Sequence, residues 1–96
     1  MPVALRARWQ RAFESAYDAF VRQLDAIEAS IPRRIDPESE AADRYYEALA
    51  LDPYAATDPA EFFAVASEAF FVDNARFRAA FPALDEVMRA FYRQQP

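Results

Sequence analysis

A stretch near the N-terminus decides the fold: residues 6–31 read RARWQRAFESAYDAFVRQLDAIEASI. Its large apolar residues recur three or four positions apart, at Trp9, Phe13, Tyr17, Phe20, Leu24, Ile27 and Ile31. Charged residues lie between them, at Arg8, Arg11, Glu14, Asp18, Arg22 and Asp25. One apolar stripe with this period predicts a long amphipathic α-helix. Pro32 ends that helix, because the residue before a proline disfavours the helical conformation.

Proline dipeptides divide the middle of the chain. After a polar loop, we expect a shorter helix over about residues 38–50. Its apolar side would carry Ala42, Tyr45 and Leu49. The dipeptides Asp52-Pro53 and Asp58-Pro59 are then typical of turns. The residues between them, YAAT, are too few to form an element of their own.

The second half of the chain is also helical in pattern. A third helix is expected from Pro59 to about Asp73, Asn74 would cap a short segment ARFRAAF, and Pro82 would open a last helix. No stretch of useful length alternates with the period of a strand. The sequence therefore predicts one all-α domain of four or five helices over residues 1–96. Its expected core contains Trp9, Phe13, Phe20, Phe62, Val65, Phe70, Leu84, Val87 and Phe91.

The composition excludes several classes of site. The 96 residues contain no cysteine, no histidine and no glycine. Disulfides, thiolate or imidazole metal ligands, Ser-His pairs and phosphate-binding loops are therefore absent from them. A formal net charge of −5 argues against nucleic acid as a partner, because phosphate binding needs a basic face. Charges interrupt every apolar run, so we expect a soluble cytoplasmic protein that does not engage a membrane.

One carboxylate, Glu61, allows two interpretations. It lies in residues 52–71, DPYAATDPAEFFAVASEAFF, three positions after Asp58. If Asp58 is the N-cap and Pro59 the first helical residue, Glu61 completes a variant of the capping box and suits the helix dipole. The other interpretation gives the carboxylate a catalytic role. The aromatic pairs nearby, Phe62-Phe63 and Phe70-Phe71, are best explained as core residues.

The same stretch resembles a known family. Together with FPAL at 81–84 and FYRQQP at 91–96, it is similar to the C-terminal part of the Mlc titration factor A family of zinc-dependent bacterial peptidases. The segment RARWQRAFESAYDAF also resembles what that family places just after its zinc-binding helix. The resemblance implies a fold like part of the catalytic domain of anthrax lethal factor. The terminal QQP departs from the QDP that is commoner in the family.

The resemblance implies roles for two residues. Glu61 matches the third zinc ligand of the family, which completes a site whose two histidines come from an HExxH helix. Tyr54 matches a tyrosine whose phenol faces the metal and stabilises the developing oxyanion. From the spacing alone, Glu68 lies seven residues after Glu61 and near the same helix face. It is a candidate for orienting one of those histidines, or it is a solvated or helix-paired carboxylate.

The HExxH motif itself does not occur in the 96 residues. In the family it lies upstream of the position of Met1, so we expect no zinc binding and no peptidase activity from these residues alone. Two hypotheses follow. The chain is the C-terminal portion of a zinc metallopeptidase, or it is a non-catalytic helical module that self-associates or binds a regulatory partner.

Partners are suggested from two directions. The resemblance implies a peptide substrate in the complete enzyme and a sugar-regulated transcriptional repressor, Mlc, as a binding partner. Independently, apolar residues surround most of the third helix, so several of its faces need to pack against other protein surface. We therefore expect a homodimer or larger assembly that buries part of this helix.

Overall fold

The computed structural model describes residues 3–93, and within that range it contains helices and no strand. The elements are α1 (Val3–Ser30), a 3₁₀ helix (Glu40–Ala42), α2 (Asp43–Tyr46), a second 3₁₀ helix (Pro53–Ala56), α3 (Pro59–Val72), α4 (Asn74–Ala80) and α5 (Pro82–Arg93). The predicted all-α bundle is confirmed. Residues 94–96, which belong to the C-terminal motif of the sequence analysis, lie outside the described residues. No described helix has both the length and the apolar character that a bilayer crossing requires.

The long helix α1 forms one wall of the bundle. Two members of its stripe, Phe20 and Leu24, are buried, and so is Leu5, one helical turn before Trp9, while its charged face is exposed. It packs mainly against α5, with smaller contacts to α2 and to the second 3₁₀ helix. The period of the stripe therefore corresponds to a real buried face.

Helix α3 crosses the interior beneath α1. Phe62, Ala66 and Phe70, four residues apart, face the core and are buried. The Phe62 ring is completely buried and contacts four other rings, those of Phe13, Tyr17, Phe20 and Phe81. This cluster is the centre of the bundle, since it joins α1, α3 and the junction before α5.

The last three helices follow one another with almost no linker. Asp73 alone separates α3 from α4, and Phe81 alone separates α4 from α5. The Asp73 carboxylate accepts a hydrogen bond from the backbone N–H of Arg76 at 3.4 Å and caps α4. Asn74 was expected to be this cap, and that assignment was wrong by one residue. Its amide is used elsewhere, in the junction with α5.

A polar group holds the junction of α3, α4 and α5. Asp85 is 2% exposed, and its carboxylate accepts hydrogen bonds from Asn74 Nδ2 at 2.8 Å and from Arg89 Nε at 2.7 Å. Asn74 also donates to the carbonyl of Phe70 at 3.2 Å, and Arg89 donates to Asn74 Oδ1. The buried carboxylate is therefore fully paired, as burial of a charge requires.

The region between α1 and α3 differs from the prediction. Instead of one helix over residues 38–50, a 3₁₀ turn is followed by a single α-helical turn that ends at Tyr46. After Tyr46 the carbonyls of Glu47 and Leu49 accept from the Arg76 guanidinium instead of from helical N–H groups, and Leu49 and Leu51 are both buried. The residues YAAT were also wrongly assigned to no element, because residues 53–56 form a 3₁₀ helix that is anchored by the buried Ala55.

The expected core is largely confirmed. Five of its members are buried: Phe20, Phe62, Phe70, Leu84 and Val87. Trp9, Phe13 and Val65 are partly buried against them, and Phe91 is half-buried where its ring contacts Trp9. The largest omission from the prediction is Phe77 of α4, which is almost completely buried.

Candidate functional site

Glu61 lies in the first turn of α3, and its backbone is fixed by a cap. Asp58 is extended, with φ −162° and ψ 168°, and its carboxylate accepts a hydrogen bond from the Glu61 N–H at 2.8 Å. Pro59 occupies the first turn, where its missing N–H costs nothing. This half of the predicted capping box is present. The carboxylate of Glu61 makes no hydrogen bond or ion pair within residues 3–93, so its oxygens remain available to a ligand.

Tyr54 lies on the short 3₁₀ helix that precedes α3. Asp52 caps this helix, since its carboxylate accepts the N–H of Tyr54 at 2.8 Å. Ala55 anchors the helix in the core, and the Tyr17 hydroxyl on α1 donates to the carbonyl of Ala56 at 3.0 Å. The Tyr54 side chain itself is 60% exposed. The backbone is therefore held on three sides while the phenol faces outward.

A further pair of hydrogen bonds restrains the chain before Tyr54. The Arg76 guanidinium on α4 donates to the carbonyl of Leu49 at 2.7 Å and to that of Glu47 at 3.5 Å. Because α2 already ends at Tyr46, the carbonyls of Glu47 and Leu49 have no helical N–H partner, and Arg76 supplies one. Neither Arg76 nor the Tyr17 hydroxyl could be assigned this role from the sequence, because each bond joins residues at least 27 positions apart.

The candidate residues share one side of α3. Glu61, Val65, Glu68 and Val72 recur at steps of four, three and four, which places them on one helical face. Tyr54 borders the same face, since it lines a surface depression together with Val65, Glu68 and Val72. Tyr54 and Glu68 therefore line one depression, whereas Glu61, one helical turn before Val65, is not among its lining residues.

These residues fit one part of a metal site and no more. Within residues 3–93, no three His, Cys, Asp or Glu side chains come close enough to hold a metal ion. The Glu61 carboxylate is an anionic oxygen donor without a partner, which suits a single ligand. The other ligands of any such site have to come from outside this group of residues.

Comparison with known proteins gives the affiliation of the chain. The model of the family described as "Glucose-regulated metallo-peptidase M90" matches residues 1–93. The "Mlc titration factor A" proteins of Pectobacterium atrosepticum and Escherichia fergusonii are 33% and 34% identical over all 96 residues. The protein of the same name from Salmonella arizonae is 55% identical over 49 residues, 51% of this chain and 20% of its own length.

The Pectobacterium and Escherichia alignments cover all of this chain but only part of each relative. The chain spans 30% of the length of the Pectobacterium and Escherichia relatives, although the alignments use all of its own residues. No solved structure matches it.

Proposed function

Since this chain belongs to the glucose-regulated metallopeptidase M90 family, we propose that it is the C-terminal portion of a zinc metallopeptidase site. In this proposal Glu61 is the third zinc ligand and Tyr54 donates a hydrogen bond to the oxyanion. The two imidazoles and the general-base glutamate would come from a longer polypeptide, since the 96 residues contain no histidine and hence no HExxH motif.

The observation that carries the proposal is that the main chain of Glu61 is fixed while its carboxylate is unpaired within residues 3–93. A helix-capping glutamate would bond back to the N–H of the cap residue, whereas this carboxylate has no partner within residues 3–93. Its main chain is nevertheless fixed by the Asp58 cap and by the packing of the neighbouring Phe62. A fixed main chain with a free carboxylate is what a metal ligand on a rigid scaffold needs.

Tyr54 supports the proposal in a similar way. Its backbone is anchored by Asp52 and by the bond from Tyr17 to Ala56, and its hydroxyl makes no hydrogen bond within the described residues. A neutral phenol in this position can donate to a tetrahedral oxygen, which carries charge only in the transition state. When bound, zinc would polarise the substrate carbonyl and make water nucleophilic at neutral pH.

A chimera tests the proposal directly. These 96 residues replace the aligned segment of the Pectobacterium atrosepticum relative, and the zinc content of the purified protein is measured by atomic absorption. We expect about one zinc per chain, and we expect Glu61→Gln to weaken zinc binding by at least about tenfold. Tyr54→Phe should retain zinc and lower peptide hydrolysis by about 10²–10³-fold.

A matched variant controls for charge. Glu14→Gln removes the same charge from the exposed face of α1 and should change neither zinc content nor hydrolysis. Circular dichroism establishes that each chimera is folded. A folded Glu61→Gln chimera that keeps its zinc with unchanged affinity would refute the role of Glu61.

A partner and a location complete the proposal. The matched relatives carry the name Mlc titration factor A, and we propose a repressor of the Mlc type as a partner of this chain. Such a partner acts on DNA, so we also propose the cytoplasm as the site of action.

The second candidate function is a non-catalytic interaction module, either self-associating or bound to a regulatory partner. It is favoured by the exposed Phe71 and Val72 at the end of α3. An in-frame HExxH upstream of Met1 in the genomic sequence would support the peptidase, and a stop codon there would support the module.

A further inference from the structure

A groove runs between the second 3₁₀ helix and the outward side of α3. We call it the α3 outer groove and define it by Tyr54, Val65, Glu68 and Val72, with Asp52 and Asp73 at its rim. It begins one turn after Glu61 and extends to the C-terminal end of α3. Its walls therefore continue the face that carries the candidate zinc ligand.

Apolar side chains are exposed to solvent in the α3 outer groove. Val72 is 77% exposed and Tyr54 is 60% exposed, and both line the groove. Single exposed apolar residues are ordinary, but two that face one groove, beside the partly buried Val65, indicate a surface that binds something. No described part of the chain covers them.

The charge of the groove is one-sided. Asp52, Glu68 and Asp73 contribute carboxylates, and no arginine is among the lining residues. Asp52 and Asp73 each use Oδ1 to cap a helix, while Glu68 has no hydrogen bond or ion pair within residues 3–93. Arg76, on the adjoining α4, directs its guanidinium to backbone carbonyls. The acidic side chains of the groove are therefore not neutralised internally.

We propose that the α3 outer groove binds an arginine or lysine side chain of a peptide. The aliphatic stem of such a residue would lie on Val65 and Val72, and its cationic head would pair with Glu68. The exposed ring of Tyr54 would add a cation–π contact. The inference rests on the proposed function in one respect: it makes this peptide the substrate class of the same site.

A second copy of this chain is the wrong occupant on electrostatic grounds. The chain has a formal net charge of −5, so pairing two outer grooves would bring carboxylates together. A cationic side chain with an apolar stem matches both the walls and the rim. Charge complementarity thus selects the basic peptide.

The test is an NMR titration of the ¹⁵N-labelled 96-residue chain without zinc. The probe is the peptide acetyl-Ala-Leu-Arg-Ala-amide, and its partner carries citrulline in place of arginine, which keeps the shape and removes the charge. We expect amide shifts at Val65, Glu68 and Val72, and binding about fivefold or more weaker for the citrulline peptide. Equal binding of the two peptides, or shifts confined to other helices, would overturn the proposal.

Two variants locate the interaction. Glu68→Gln should weaken binding of the arginine peptide about fivefold, whereas Glu14→Gln, with the same charge change on α1, should leave it unchanged. Equal weakening by both would mean a nonspecific charge effect and would overturn the proposal. So would shifts at Val65 and Glu68 that depend on protein concentration without peptide, since they would mean that a second copy of the chain occupies the groove.

This outcome is independent of the chimera experiment. The titration contains no zinc, so failure of the chimera to retain zinc would refute the ligand role of Glu61 and leave the groove intact. Conversely, if the arginine and citrulline peptides bind equally well, the groove proposal is refuted even when the chimera retains zinc.

Discussion

Two phenylalanine pairs on α3, Phe62-Phe63 and Phe70-Phe71, have the same sequence and different surroundings. In each pair the first ring is buried and the second is exposed, but Phe63 is 39% exposed and Phe71 is 63% exposed. The first pair lies beneath α1, where Trp9 and Phe13 also contact Phe63. At the second pair, Tyr92 of α5 is the ring that contacts Phe71 from another helix.

The difference shows how the two ends of α3 are stabilised. At the first pair, aromatic rings from several elements interlock around Phe62. At the second pair, the Phe70 carbonyl accepts from Asn74, and the Arg89 guanidinium lies 5.9 Å from the centre of the Phe70 ring. The first end therefore depends on apolar packing, and the second depends on a buried polar junction as well.

The largest expected effect separates the two pairs. Phe62→Ala should lower the free energy of unfolding by about 3–5 kcal/mol, because it opens a cavity among rings that cannot all collapse into it. Phe71→Ala removes a mostly exposed ring and should cost about 0.5 kcal/mol. Urea denaturation followed by circular dichroism measures both. Equal losses of stability in the two variants would contradict the conclusion that the two pairs differ in how they stabilise α3.

A smaller effect tests the polar junction. Asp85→Ala leaves the amide of Asn74 and the guanidinium of Arg89 without their buried acceptor, and we expect a loss of about 2 kcal/mol. The adjacent Glu86 makes only an exposed ion pair with Arg8, so Glu86→Ala should cost about 0.5 kcal/mol or less. If the two neighbouring variants unfold at the same urea concentration, the junction does not stabilise the second end of α3.

The cap at the start of α3 gives a still smaller change. Asp58→Ala leaves the Glu61 N–H without its acceptor and should cost about 1 kcal/mol, whereas Asp58→Asn should recover most of that loss. Thermal unfolding of the three proteins measures the difference. An alanine variant as stable as the parent would mean that the first end of α3 is held by packing alone.

The smallest effect concerns association. We expect the chain to self-associate through the exposed aromatic rings of α3, away from the acidic outer groove. Phe71→Glu should weaken this association more than Phe63→Glu, since Phe71 is the more exposed ring. Sedimentation equilibrium at high micromolar concentration gives the measurement, and a parent chain that is monomeric there would contradict the prediction.

The sequence predicts the fold where one period extends over many residues. The stripe in α1 and the proline at the start of α3 and of α5 place those helices within a few residues of their observed ends. The pattern fails between residues 38 and 58, where short turns are held by distant partners such as Arg76 and Tyr17. Those bonds depend on how the helices pack, which no local pattern contains.

The candidate site was predictable in a similar, partial way. The spacing of Asp58, Pro59 and Glu61 predicts the Asp58 cap that the structure contains, but the reciprocal bond from the Asp58 N–H to the Glu61 carboxylate is absent within residues 3–93. The roles of Glu61 and Tyr54 as zinc ligand and oxyanion donor came only from the family resemblance and stay predictions. The outer groove could not be foreseen, because it requires the 3₁₀ helix at Pro53–Ala56 that the sequence did not suggest.

The one-residue junctions at Asp73 and Phe81 have a consequence for how such chains can change in length. One extra residue inside a helix turns everything beyond it by about 100°. An insertion at Phe81 would misalign Asp85 with Asn74, and one at Asp73 would move Asn74 away from the carbonyl of Phe70, whereas the loop at residues 31–39 carries no comparable register. Insertions and deletions that arise during evolution should therefore collect in that loop and spare the segment from Pro59 to Arg93.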